Sequence, residues 1–208
     1  TFVWQLIELL APPSDLYVTP TGYATWSGGG AIPFEPFFEN FDTQEQFDMW
    51  EVIVGGSNAD TWFWTASDGG STLDGTPFAF VDSDAAGPGS TMNEIMISPV
   101  IDASNADELI IEFDQYYNNL SGAESADVDV WDGSDWVNVL HQNSDQGSWA
   151  SPSHKTIDVT EYANDEFRVR FHYIAPGWDW YWAVDNVAVH DNSGKYADNK
   201  AFQFFKVF

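Results

Sequence analysis

VDVWDGSDWVNV, residues 128–139, reads as two arms alternating apolar and polar about Asp132-Gly133-Ser134, the pattern of an antiparallel hairpin. The same period of two runs outward from it in both directions. ADELIIEFDQYY (106–117), HKTIDVTEY (154–162), EFRVRFHYI (166–174) and YWAVDNVAV (181–189) alternate or run apolar and are rich in Val, Ile, Tyr and Phe. Turn-forming clusters such as SDGG, LDG, AAGPGS and DQGS divide them at short spacing. Helical periodicity is confined to TQEQFDMW (43–50) and DVTEYAND (158–165), each a turn or two, with Thr43 and Thr160 as expected N-caps. A dozen short strands with almost no helix specify an all-β protein, a sandwich or a barrel.

Composition narrows the chemistry. The 208 residues hold 33 Asp and Glu against 6 Lys and Arg, a net charge of −27, which excludes nucleic acid and an anionic membrane surface as partners. With 44% apolar residues and 11 Trp, the chain can still build a core. The absence of Cys excludes disulfides, thiolate zinc sites and a Cys nucleophile. No apolar run reaches the ~18–20 residues of a membrane span, so no membrane insertion is expected. No basic region precedes TFVWQLIELL, so the chain is expected to be a mature piece or an excised domain.

The ends differ from the middle. LYV and YATW, either side of a Pro-Thr-Gly turn, read as short strands, and Gly28–Gly30 as a joint. Lys195, Lys200 and Lys206 fall together near the C-terminus, ahead of or within the strand-like KAFQFFKVF. The expected organisation is 1–33 flanking strands and linker, 34–191 the domain proper, and 192–208 a C-terminal linker and strand.

Catalytic patterns are missing from the sequence. There is no GxSxG elbow and no HExxH, and His141, His154, His172 and His190 all sit in or beside strand-like segments. No enzyme is expected. Carboxylates are the stronger signal: Glu39, Asp42, Asp60 and the Asp185-Asn186 pair offer the oxygen ligands that calcium takes. An aspartate inside the apolar WAVDNVAV strand is costly unless a cation answers its charge. Asp82 and Asp84, and Asp127, Asp129, Asp132 and Asp135 along the hairpin, read instead as solvated acidic faces. Trp178 and Trp180, with Asp179 between them, and Trp149 in QGSWASP are the aromatics expected to meet a ligand; Trp149 and Trp178, beside Gly and Ser, are expected to be exposed.

Three segments in order, PFFENFDTQEQFDMWEV (36–52), MNEIMISPVIDASNADELIIEFDQYY (92–117) and TEYANDEFRVRFHY to DWYWAVDNVAVH (160–190), resemble the cleaved-adhesin or choice-of-anchor J domains of Bacteroidetes surface proteins, which are similar in fold to MAM domains. The resemblance implies a two-sheet antiparallel β-sandwich of jelly-roll type. It implies structural calcium, with Glu39 or Asp42 of the first strand meeting Asp185 of the last. The family's Asp/Gly-rich stretch before its Trp is thinner here, GGSNADTW (55–62), with the single Asp60. The flanks are similar to strands of a fibronectin type III module. The implied function is a non-catalytic, calcium-binding adhesion or recognition module of a secreted or cell-surface bacterial protein, taking glycan or a cell-surface protein as partner. The alternatives are an ancillary substrate-targeting domain of a secreted protease or glycosidase, and a structural spacer in a surface filament.

Overall fold

The computed structural model describes residues 34–120 and 122–193, together with the backbone of two strands nearer the N-terminus. Those two, β1 (Asp15–Val18) and β2 (Ala24–Ser27), pair antiparallel as the two apolar stretches about the Pro-Thr-Gly turn suggested. The KAFQFFKVF segment and the three C-terminal lysines lie outside the described residues.

The remaining strands are β3 (Phe37–Glu39), β4 (Glu51–Ile53), β5 (Phe63–Thr65), β6 (Phe78–Asp82), β7 (Met92–Ile97), β8 (Leu109–Asn118), β9 (Ser125–Trp131), β10 (Trp136–Gln142), β11 (Ser153–Asp158), β12 (Val169–Ala175) and β13 (Tyr181–Asp191). They form a jelly-roll sandwich of two antiparallel sheets. One sheet runs β10-β9-β12-β7-β4; the other runs β11-β8-β13-β6-β5, with β3 also on β13. The hairpin that opened the sequence reading is β9–β10, with Trp131 opposite Trp136.

Helix is as scarce as the sequence indicated. α1 (Gln44–Phe47) starts at Thr43, where Thr43 and Gln46 form a capping box that satisfies two otherwise orphaned N–H groups. The 158–165 segment gives only a 3₁₀ turn, Thr160–Tyr162, capped at Val159 without a side-chain bond; Thr160 Oγ1 instead receives the Leu109 N–H. A second short helix, α2 (Ser83–Ala86), is capped by Asp82, whose carboxylate receives the Asp84 and Ala85 N–H groups.

Alternation sets the core. Leu109, Ile111, Phe113, Gln115 and Tyr117 of β8 point inward and are buried, while the residues between them are partly exposed, Ile110 excepted. Trp182 of β13 is wholly buried and meets Trp62, Phe171 and Tyr117 at centroid separations of 5.3, 5.6 and 6.2 Å. Its indole N–H donates to Gln115 Oε1 at 2.8 Å, Gln115 Nε2 donates to Gln142 Oε1 at 2.7 Å, and Gln142 Nε2 donates to Ala126 O at 3.3 Å. This buried amide chain crosses from one sheet to the other and fixes their relative position, because every polar atom in it would be costly unpaired. Trp182→Ala is expected to cost about 3–5 kcal/mol in urea unfolding, and Gln115→Ala about 1–3 kcal/mol through the unpaired indole and amide; an unchanged midpoint in either variant would show that the chain does not hold the sheets.

Candidate functional site

β13 changes partner halfway along. Residues Tyr181–Val184 pair with β6 and Val187–Val189 with β3, so Asp185 and Asn186 fall in the gap between two half-strands. On its other edge β13 pairs with β8 throughout, but the register slips there: Asp185 faces Asp114, and the next paired residue is Ala188 against Glu112. Asn186 supplies the bulge with φ of 53°, a left-handed conformation that asparagine tolerates better than most residues. Phe41, in the turn after β3, has φ of 46°, an outlier for an aromatic residue. These are the two non-glycine residues with positive φ among those described, and they flank one cluster of acids.

Asp185 is fully buried on the outer side of its sheet. The Asn186 N–H donates to its Oδ1 at 2.8 Å, and Thr76 Oγ1 reaches its Oδ2 only at 3.5 Å. Asn186 Nδ2 donates to Asp74 Oδ2 and to Asp114 Oδ2, each at 3.1 Å, and Asp114 Oδ1 also meets His154 Nδ1 at 2.8 Å. Burial, helped by the charges of Asp74, Asp114 and Asp42, pushes the Asp185 carboxyl up to about 8. Asp74 moves the other way: its partial burial is outweighed by bonds from Thr76 and Asn186 that favour the anion.

Of the sequence-derived ligands, Asp185 and Asn186 are bonded to one another, and Asp42 is near enough for its charge to act on Asp185. Glu39 stands opposite Val187 at the bulge, buried, with its carboxyl raised by that burial and partly held down by the Phe41 N–H at 2.9 Å. Asp60 lies exposed on the 54–62 loop, its N–H on Asn58 Oδ1. Asp74, Asp114, Thr76 and His154 were not foreseen. No group of three or more His, Asp or Glu side chains among the described residues is already spaced as a metal clamp; the Asn186 amide stands between two of the carboxylates.

A second feature lies on the outer face of the five-stranded sheet. Trp131 and Trp136 meet edge to face at 5.6 Å and line a cavity of about 370 Å³ with Glu51, Ile97, Val100, Glu166 and Arg168. Arg170 lies 4.5 Å from the Trp136 ring centre and its Nε donates to Asp129 Oδ2 at 2.9 Å. Asn138 Nδ2 donates to the same aspartate at 3.0 Å, and His141 meets Asp127. Asp127 and Asp129 are therefore not part of a solvated face, being largely buried beneath their partners, whereas Asp135 at the turn is exposed as expected. That partnering braces the Trp136 ring from below.

The aromatics expected to bind ligand divide. Trp178 is 52% exposed and Trp180 36%. Trp149, expected in solvent, is half buried: it stacks on Tyr181 at 5.8 Å and packs on Phe78 and Phe80, part of a small apolar cluster with Leu73 on the outside of the six-stranded sheet. Its glycine and serine neighbours indicated a loop, and the loop folds back onto the sheet. Asp179 is buried against Glu124, and burial with that neighbour pushes its carboxyl up to about 7.

No protein-family model matches the chain, and no curated protein sequence matches it. Its fold is similar to that of the K1 cleaved adhesin domain of Lys-gingipain from Porphyromonas gingivalis W83, with a TM-score of 0.58 and 16% identity over 76% of this chain and 99% of that one. The K3 cleaved adhesin domain of the same protein and strain gives 0.51 and 14%, over 74% of this chain and 98% of that one. TmCBM61, solved in complex with β-1,4-galactotriose, gives 0.54 and 12%, over 74% and 94%. The adhesin-like fold implied by the three sequence segments is thus found; at these identities the likeness is one of fold.

In the presence of a chelator, the raised carboxyls of Asp185 and Asp179 keep protons in the folded state that the unfolded chain releases near the ordinary carboxylate range. Stability is therefore expected to fall as pH rises from about 4 to 8, by at most about 1.4 kcal/mol per pH unit for each such proton. Asp185→Asn is expected to flatten this slope, as read by urea unfolding across that range; a variant with the wild-type slope would contradict the assignment.

Proposed function

We propose that this chain is a non-catalytic recognition module of a secreted or cell-surface protein, which binds glycan on the Trp131–Trp136 face and is stiffened by calcium at the β13 bulge. The carrying observation is the cavity of about 370 Å³ walled by two tryptophans, with carboxylates and an arginine at its rim. Aromatic faces present large, rigid apolar area to a sugar ring, and rim polar groups are placed to bond hydroxyls. The volume suits a small ligand or a few sugar units. TmCBM61, similar in fold, was solved with a galactotriose, which supports a glycan as the partner.

The calcium reading rests on charge. Asp114 and Asp185 sit directly opposite on neighbouring strands, Asp74 is linked to Asp114 through Asn186, and Asp42 acts on Asp185. Like charges so placed are destabilising without a cation. The donor set is all oxygen once the Asn186 amide is turned to present Oδ1, which suits a hard divalent ion taking 6–8 oxygens. Asp185, Asp114, Asp74, Asp42 and Asn186 would hold it, with Glu39 at the edge. When bound, calcium supplies the positive charge these carboxylates lack and ties β8, β13 and the 66–77 loop together.

An ancillary domain that tethers a hydrolase to the same glycan would use the same face, whereas a spacer would bind nothing. Glycan-array screening followed by calorimetry is expected to give a ligand whose affinity falls at least tenfold, about 1.4 kcal/mol, in Trp136→Ala or Trp131→Ala, and survives in Trp178→Ala. Loss only in Trp178→Ala would move the binding face to the 177–180 loop. Calcium at 100 times its dissociation constant adds about 2.7 kcal/mol, or roughly 5–10 °C in melting midpoint for a domain of this size. Asp185→Asn is expected to lose roughly half or more of that shift, and an equal midpoint in calcium and in chelator would remove the metal from the proposal.

A further inference from the structure

A third feature lies at the start of β13. Glu124 precedes β9 and Asp179 precedes β13, and both are almost wholly buried, at 1% and 3% exposure. Their carboxyl groups are hydrogen-bonded to one another, and the Leu120 N–H lies at both, donating to Glu124 Oε1. The backbone around them is fixed: the Asp179 N–H donates to Ser83 Oγ at 3.1 Å, Ser83 Oγ donates to Gly177 O at 3.2 Å, and the Ser83 N–H donates to Trp180 O at 2.8 Å. Yet Asp179 Oδ1, buried beside Glu124, has no hydrogen-bond partner. A carboxylate oxygen in that position costs the desolvation of an unmet acceptor.

The cations among the described residues do not answer it. Among the described residues Lys155 bonds Gln146, Arg168 pairs with Glu51 and Arg170 with Asp129. Tyr117 and Tyr173 are close enough to feel both acids; the Tyr117 hydroxyl accepts from Asn119 Nδ2 at 2.8 Å, and the Tyr173 hydroxyl donates to Trp180 O at 3.2 Å. Two hydrogen-bonded carboxyl groups, one of them with an unpartnered oxygen, make an oxygen site with room among the described charges for a small hard cation.

We infer that Glu124 and Asp179 form a divalent-cation site of their own, taking calcium, which joins the chain just before β9 to the 177–180 loop carrying Trp178 and Trp180. It shares no residue with the acids around Asp185 and stands whether or not those bind metal. Two side chains supply up to four oxygens, and loop carbonyls and water complete the shell. With the ion bound, the two exposed tryptophans are carried on a loop pinned at both ends, by Ser83 on one side and by the metal on the other.

The test uses calcium chloride, and terbium as a luminescent stand-in that neighbouring aromatic rings sensitise. Wild type, Asp185→Asn, Asp179→Asn and Glu124→Gln are titrated calorimetrically and by terbium emission, with near-ultraviolet circular dichroism to establish that each is folded. Asp185→Asn is expected to keep a calcium site that Asp179→Asn and Glu124→Gln each weaken at least tenfold, and terbium emission is expected to follow the same pattern. Equal stoichiometry and affinity in wild type, Asp179→Asn and Glu124→Gln would overturn the site and leave the pair as two carboxyls sharing a proton. A second readout needs no variant: in the wild type, the amide resonances of Leu120 and Asp179 are expected to shift as calcium chloride is added. Resonances unmoved at about 10 mM, above the ~10⁻⁴–10⁻³ M range of extracellular calcium modules, would overturn it equally.

Discussion

The interruption in the central strand governs this structure. β13 is held along one edge by β8, but on the other edge β6 stops and β3 begins, and the break leaves Asp185 and Asn186 without a ladder partner on that side. A gap in a sheet exposes backbone groups that must be satisfied from elsewhere. Here the neighbouring loops close over it: the 66–77 loop brings Asp74 and Thr76, and the turn after β3 brings Asp42. What fills the gap is acid on acid. The two strained backbone positions beside it, Phe41 and Asn186, mark where the chain bends away from easy conformations to keep those groups converging.

The rest of the fold is ordinary sandwich packing that leaves the gap nowhere to relax. Immediately before it, Trp182 is locked into the core by its ring neighbours and by the amide chain through Gln115 and Gln142. Immediately after it, Val187 and Val189 are buried in the same core. Sliding β13 by one residue would carry Trp182 to the outer face and Asp185 to the inner one, so register is held by packing on both sides of the bulge. The carboxylate stays in the gap because its neighbours cannot move. Burial then decides its protonation in the absence of a cation.

Much of the fold was legible because β-structure writes itself at period two. The VDVWDGSDWVNV hairpin, the long inward face of β8 and the Thr43 cap each follow from local spacing alone. The site was legible only in part, and for one reason. Asp185 and Asn186 stand out because polar residues in an apolar strand need an explanation, but Asp114 and Asp74 look like any other acids in a chain with 33 of them. What singles them out is register across strands and the path of a loop, neither of which a single sequence contains. Trp131 and Trp136 were in plain view in the hairpin, five residues apart about a tight turn, and alternation already put them on the face of Asp127 and Asp129. That face was already expected outward; what alternation does not show is the cavity, completed by Glu51, Ile97, Val100, Glu166 and Arg168 from elsewhere in the chain. Trp149 failed in the opposite sense, since loop composition speaks for exposure only where no second apolar cluster waits on the sheet beneath.

The excess of negative charge bears on what the Trp131–Trp136 face can accept. Glu51 and Glu166 stand at the rim, Arg168 is drawn 3.5 Å from Glu51, and Arg170 is committed to Asp129 beneath the Trp136 ring. Neither arginine is left to receive an anionic sugar, and the field of a chain at −27 repels one from a distance. On the proposed glycan face, selection would therefore fall to ring stacking and to carboxylates that accept from hydroxyls, which would favour neutral glycan over sulfated or uronic chains. The same field draws divalent cations inward, so the charge that narrows the ligand also raises the local concentration of the ion proposed to stiffen the scaffold. High salt would weaken both effects together, because each acts beyond a Debye length of about 8–10 Å. Stacking on the tryptophans would persist, since contact with an aromatic face does not depend on long-range charge.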